Sequence, residues 1–272
     1  MSASLVLASS TARPACVEAR GLSLGVPGRG PLLHELSLQV QPGERWCVLG
    51  RNAVGKSTLL RALAGLPVPD QRGEVCWAGQ AAARWSAAEA ARLRAYQPQM
   101  PSDRFGLSVR RLLELAVCAP QRADAPDLLS RLAELDAADL LDRDVRQLSG
   151  GERQRVALAQ CALQGTPLLL LDEPISFQDP AHQQLVARWL VRLTADGLRS
   201  VVMSAHDVNW AASVATHVLF MLGDWGGGRH GQGGEPGAWA AGPVGEMLTA
   251  AQLQAAYGCA WREAGGVWVP VA

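Results

Sequence analysis

The sequence predicts an α/β fold in which strands alternate with helices, and three observations carry that prediction. Trp46-Cys47-Val48-Leu49 is a short apolar run that delivers a glycine-rich turn, Gly50 to Thr58, to a helix marked by Leu59, Leu60 and Leu63. Leu168-Leu169-Leu170-Leu171 is a second buried strand, and it ends in the paired carboxylates Asp172 and Glu173. Strand–helix alternation then resumes, through a helix opened by Asp179-Pro180 and an apolar strand before His206.

Composition sets the outer limits. The chain has 272 residues, 49% hydrophobic and 18% charged, enough for one large α/β domain or two small ones. It is too apolar for intrinsic disorder, and a net charge of zero gives none of the basic footprint of nucleic-acid binders. No run of roughly 18 apolar residues occurs that could span a bilayer; Val201 to Leu222 is interrupted by His206, Asp207, Asn209 and His217. The six cysteines are scattered, with no Cys-x-x-Cys pair, which fits a reducing compartment without disulfides or zinc.

Taken in order, residues 1–16 read as a frayed leader. Leu5-Val6-Leu7 is apolar but brief, and no basic residue precedes it as a secretory signal requires. Between 17 and about 98 lie strands at Leu36 to Val40, Trp46 to Leu49 and Val75 to Trp77, together with the helix after the glycine-rich turn. That turn, Gly50-Arg51-Asn52-Ala53-Val54-Gly55-Lys56-Ser57-Thr58, matches G-x-x-x-x-G-K-[ST], the phosphate loop. Four fixed positions recur by chance in roughly one chain in a hundred of this length at average glycine usage, and the strand–turn–helix context lowers that further. Unpaired N–H groups at the helix start favour phosphate. Lys56 would bridge the β- and γ-phosphates, and the Ser57 hydroxyl would bind Mg²⁺. Lys56 is also the single lysine among 25 cationic residues, marking a place where the broad fork of arginine will not serve.

Residues about 99–160 are helix-rich, with Val109 to Val117 and then Leu128 to Leu141 as amphipathic segments. Ser149 and Glu152 form a capping box that opens the next helix, and Gly150-Gly151 leaves its N-terminus bare to a phosphate. Beside a phosphate loop, the Leu168–Glu173 strand reads as Walker B. Asp172 would hold Mg²⁺ through water, and Glu173 would polarise the attacking water as general base. Asp179 caps the helix from Pro180, whose buried stripe is Leu185, Trp189, Leu190 and Leu193. A run from Gly223 to Gly237 reads as a flexible hairpin loop with a solvated His230. The tail reads as two short helical turns, Val244 to Tyr257, and an edge strand from Val267 stopped by Pro270.

Leu148-Ser149-Gly150-Gly151-Glu152-Arg153-Gln154-Arg155, with Ser149 standing 23 residues before Asp172, resembles the signature motif of ATP-binding-cassette (ABC) ATPases. Other positions then follow the family pattern. Gln99 resembles the Q-loop glutamine, with Gln97, nearer the strand, the alternative. Ile175 to Asp179 resembles the D-loop, and His206 resembles the switch histidine. The resemblance covers about residues 17–222. It departs at Arg51 and Ala53, where the family often has Pro and Gly, at Phe177-Gln178 in place of the commoner Ala-Leu, and near Leu24 to Val26, where no adenine-stacking aromatic stands.

The resemblance implies a P-loop NTPase of the ABC type over 17–240, with a RecA-like core, an N-terminal antiparallel β subdomain and a helical subdomain at about 99–160. Residues 241–272 would pack on it as a C-terminal extension. It implies ATP and Mg²⁺ as ligands. Gly50 to Thr58, Ser149, Gly150, Gly151 and Asp179 would bind ATP; Ser57, Gln99 and Asp172 would hold the metal; Glu173, His206 and Gln99 would be catalytic, with Arg153 and Arg155 as surface charges. Cassettes of this family pair head to tail, so Ser149 of one copy would close over ATP held by the other. The tail (Gly242-Pro243-Val244, Met247-Leu248-Thr249, Ala256-Tyr257-Gly258) and Ala205 to Asn209 are similar to importers of cobalamin, ferric siderophores and haem. That likeness implies separate integral-membrane permease subunits docked near Gln99 and residues 100–108. It further implies a substrate-binding protein beyond them, no nucleic acid, and a place on the cytoplasmic face of the inner membrane. A soluble ABC ATPase driving a cytosolic assembly, such as iron–sulfur scaffold remodelling, would share every catalytic motif.

Overall fold

The computed structural model describes residues 14–28, 30–99, 106–117, 127–222 and 237–271. Three strands open the chain, β1 (Val17–Val26), β2 (Gly30–Val40) and β3 (Arg45–Leu49), followed by α1 (Lys56–Leu63). Next come β4 (Arg72–Trp77), the short β5 (Gln80–Ala81), α2 (Ala87–Leu93) and β6 (Arg94–Gln97). Helices α3 (Val109–Val117), α4 (Leu128–Ala133) and α5 (Gly150–Leu163) precede β7 (Leu168–Leu171). The chain continues with α6 (Pro180–Thr194), β8 (Ser200–Ser204), α7 (Val208–Val214), β9 (His217–Met221) and β10 (Trp239–Pro243). It ends with α8 (Val244–Met247), α9 (Ala250–Tyr257), β11 (Trp261–Ala264) and β12 (Val267–Pro270).

The strands form an antiparallel sheet in the order β2-β1-β4-β5 and a six-stranded sheet in the order β10-β9-β3-β8-β7-β6. In the larger sheet β9, β3, β8, β7 and β6 run parallel, and β10 pairs antiparallel at the edge. Period-2 alternation divides this sheet between two cores. Trp46, Val48, Leu168, Leu170, Val202 and Leu219 face the antiparallel sheet and α1. Cys47, Leu49, Leu169, Leu171, Met203 and Phe220 face α5, α6, α7 and the C-terminal segments. The apolar strands seen in the sequence are therefore buried on both faces, which is why they lack a polar side.

Several expectations are corrected. The segment Leu128 to Leu141 is two pieces rather than one helix: α4 stops at Ala133, Asp136 takes a left-handed φ of 53°, and a 3₁₀ turn follows at Ala138–Leu140. Leu132, Leu135 and Leu140 are all buried, so the apolar spacing is satisfied by a kinked path. Leu185 of α6 is half-buried, and the buried stripe runs instead through Val186, Trp189, Leu190 and Leu193. The strand at Val267 does not edge the main sheet; it pairs with β11 in a separate hairpin. Residues 1–13 of the leader and 223–236 of the glycine-rich run, His230 included, lie outside the described residues. Among the described residues no helix is long and apolar enough to cross a membrane, and Cys16, Cys47, Cys76, Cys161 and Cys259 are free thiols.

Candidate functional site

Parallel strands collect ligands at their carboxyl ends, and here four neighbouring strands each end in one of the singled-out loops. The phosphate loop follows β3, His206 follows β8, Asp172-Glu173 follows β7 and Gln99 follows β6, strands that are consecutive in the sheet. Chain order scatters these residues over more than 150 positions; sheet order lines them along one edge. Together they border a cavity of about 460 Å³ whose walls include Asn52, Lys56, Ser57, Gln99, Glu173 and His206.

The phosphate loop is built around close approach. A Cβ on Gly50, at φ 144°, would come within 2.7 Å of the Met221 carbonyl oxygen, so only glycine fits. Ala53, where the family often has glycine, sits at φ 61°, a left-handed conformation costing about 1–2 kcal/mol for an L-residue. Lys56 is 5% exposed, and its Nζ donates to the Gly50 and Arg51 carbonyls at 2.8 and 3.0 Å. Burial pushes its ammonium below the ordinary lysine range, while Glu173 and Asp172 pull it back up. A buried cation held by carbonyls, facing two carboxylates across an open cleft, is a site made for a polyanion.

Glu173 is the most constrained group. Its φ is 50°; its N–H donates to Ser204 Oγ at 2.9 Å, and its carbonyl accepts from Gln154 Nε2 at 2.9 Å. Its carboxylate accepts from Gln99 Nε2 at 2.8 Å and from Ser176 Oγ at 2.9 Å, and also meets His206 Nε2. Lys56 Nζ lies 3.4 Å from His206 Nδ1. An ammonium only donates, so this contact places the histidine lone pair at Nδ1 and directs its Nε2 proton at Glu173. Asp172, 2% exposed, accepts from Ser204 Oγ at 2.6 Å. One buried hydroxyl thereby ties both carboxylate residues to β8. Gln97 is buried in the strand and its side chain does not line the cavity, whereas Gln99 does.

The family model for ABC transporter matches residues 33–176, more than half of the chain. The chain belongs to the ABC transporter family. A hemin import ATP-binding protein of Pseudomonas putida is 39% identical over 202 residues, covering 71% of this chain and 78% of that one. A vitamin B12 import ATP-binding protein of Vibrio cholerae is 38% identical over 243 residues, covering 85% and 90%. Among solved structures, CbiO1 of Clostridium perfringens, part of the ABC transporter complex CbiONQ, superposes with a TM-score of 0.68 at 20% identity, covering 88% of this chain and 93% of that one. The chain is thus an ABC transporter ATP-binding protein, which binds and hydrolyses ATP.

Within this ABC cassette, Ser149, Gly150, Gly151 and Asp179 are not among the residues that wall the phosphate-loop cavity. Ser149 caps α5 in the expected box, its Oγ accepting from Glu152 N–H at 3.3 Å while Glu152 accepts from Ser149 N–H at 2.7 Å. Asp179 caps α6 and holds His182 Nδ1 at 2.8 Å. The D-loop lies against the start of α5: Gln178 Nε2 donates to the Gly151 carbonyl at 2.8 Å, and Phe177, 68% exposed, covers Gly150. Arg153 and Arg155 are corrected from surface charges to half-buried ones, donating to Val145 O at 3.1 Å and Gln178 Oε1 at 3.3 Å. Sequence reasoning missed Ser176, Ser204 and Gln154. Ser204 did leave a signal, a polar residue at the carboxyl tip of a strand whose interior, Val201 to Met203, is apolar.

Proposed function

We propose that this chain is the ATP-hydrolysing subunit of an importer, coupling ATP-driven closure of a head-to-tail pair of copies to passage of a cobalamin, iron-siderophore or haem cargo through separate membrane permeases. The observation that carries the reading is the convergence of Lys56, Gln99, Glu173 and His206 on one cavity. Lys56 and the phosphate-loop amides bind the phosphates. Glu173 takes the proton of the attacking water, and His206, donating from Nε2, holds that carboxylate toward the terminal phosphate.

The donor set also fits Mg²⁺. Ser57 offers a hydroxyl, and Asp172 keeps Oδ2 clear of its bond to Ser204. Gln99 gives its Nε2 to Glu173, which leaves its amide oxygen for a cation. Bound there, the ion would neutralise charge on the β- and γ-phosphate oxygens.

Because Ser149 and Asp179 stand outside the phosphate-loop cavity of their own chain, they serve the ATP of a second copy. Such closure is a population shift: ATP that touches both copies favours the closed pair. Cargo, permease partners, an indirect substrate-binding protein and a place on the inner membrane's cytoplasmic face are taken from the likeness to the haem and vitamin B12 import proteins. The test is capture of tagged Glu173→Gln, trapped with ATP, from detergent-solubilised native membranes. A stoichiometric polytopic membrane protein supports the importer reading. A soluble partner without one overturns it in favour of a cytosolic assembly ATPase.

A further inference from the structure

The C-terminal segments do more than cover the sheet. Leu253 and Ala256 of α9 are buried in the core shared with α5 and α7, and Tyr257, Trp261 and Trp268 pack against it. This brings the extension to two catalytic loops at once. A cavity of about 820 Å³ has Gly50 to Val54 and His206 on one side and Tyr257, Trp261 and Pro270 on the other. It shares Leu32, Asn52, Ala53 and His206 with the phosphate-loop cavity, so the two adjoin along the phosphate loop and His206.

A reciprocal pair of hydrogen bonds fastens the extension there. Asn209 and the backbone of Trp268 bond reciprocally: Asn209 Nδ2 donates to the Trp268 carbonyl at 3.0 Å, and Trp268 N–H donates to Asn209 Oδ1 at 2.8 Å. Asn209 lies three residues after His206, in the first turn of α7, whose N-cap is Asp207. A seven-residue helix has little stability of its own, so its direction is set by what grips it. Its first turn is held by the Asp207 cap on the Asn209 and Trp210 N–H groups, by burial of Val208 and Trp210, by the Trp210 indole N–H, which donates to the Gln183 carbonyl at 3.0 Å, and by the Asn209–Trp268 pair, which ties it to the C-terminal hairpin.

We propose that Asn209 is a positioning residue for ATP hydrolysis: through Trp268 it anchors the start of α7 to the C-terminal hairpin and so sets where His206 stands against Glu173. The inference rests on the reading of His206 as part of the hydrolytic site. In the full chain, Asn209→Ala lowers kcat by roughly tenfold to a hundredfold, as a misplaced catalytic group does, with ATP affinity within about twofold of wild type. In a His206→Ala background the same substitution has no further effect on kcat, because the group it positions is gone. Asn209→Asp, which still accepts from Trp268 N–H but cannot donate, falls between, and keeps the test open if the alanine variant fails to fold. Equal fold-losses from Asn209→Ala in both backgrounds, or a loss of affinity and melting temperature with kcat intact, overturns the proposal. If His206→Ala itself leaves kcat unchanged, it is the reading of His206 that fails.

Discussion

At the residue scale, the site is a matter of which atoms each group can give. Lys56 presents a buried point charge to the cavity, so Lys56→Ala removes a charge-assisted contact worth about 1.5–3 kcal/mol. ATP affinity measured by calorimetry then falls roughly tenfold to a hundredfold, and unchanged affinity would count against the phosphate-loop reading. Glu173→Gln keeps the shape and the donors' partner but cannot take a proton. It binds ATP normally and loses turnover by about a hundredfold or more in a steady-state phosphate-release assay. Ser204 is a different case, because its Oγ is completely buried between Asp172 Oδ1 and Glu173 N–H. Ser204→Ala leaves a buried donor and acceptor unmatched, which costs about 1–3 kcal/mol in denaturant unfolding and also slows hydrolysis. The motif residues were legible in the sequence because their chemistry depends on local spacing. Ser204 and Gln154 were not, since their partner is Glu173, and only the pairing of β7 with β8 and the seating of α5 bring them to it; Ser176, three residues after Glu173, reaches its carboxylate within the same tight loop.

At the scale of elements, legibility follows how local the cause is. The capping box at Ser149 and the Asp179-Pro180 helix start lie within four residues and were read correctly from sequence. The break between Ala133 and Ala138 was not, because the leucine spacing that suggests one helix is equally met by a path that turns at Asp136 and buries Leu135 and Leu140. The hairpin of β11 and β12 was half-read for a related reason: Pro270 limits a strand but does not say what it pairs with. The contact of the D-loop with α5 is likewise visible only in three dimensions, and it makes Gly151 a sharp probe. A Cβ there would stand 2.8 Å from the Phe177 carbonyl oxygen, a backbone atom that cannot swing aside. Gly151→Ala therefore displaces the D-loop. It costs about 1–3 kcal/mol by overpacking and lowers turnover while ATP binding, seated on another strand's loop, stays intact. A melting curve beside a binding titration separates the two effects.

At the scale of the whole molecule, the proposed function divides the ATP site between two surfaces of one chain. The phosphate-loop cavity has Lys56, Glu173 and His206 on its walls, and Ser149 and Asp179 are not among the residues that line it. If two copies meet head to tail, each ATP site takes its phosphate loop from one chain and its Ser149 from the other, and the rotation closes with two equivalent sites. Complementation decides whether it does. Lys56→Ala and Ser149→Arg, each placed in a Glu173→Gln background that retains ATP, should separately fail to occlude nucleotide. Mixed in equal amounts, half of the pairs combine one chain of each kind. In such a pair both defects fall in the same site, so the other site joins an intact phosphate loop to an intact Ser149. Occlusion should then return to roughly a quarter of the level of the parent Glu173→Gln protein, with a dimeric mass by light scattering that depends on ATP. If instead Ser149 served its own chain's nucleotide, every chain in the mixture would keep its defect and nothing would be regained.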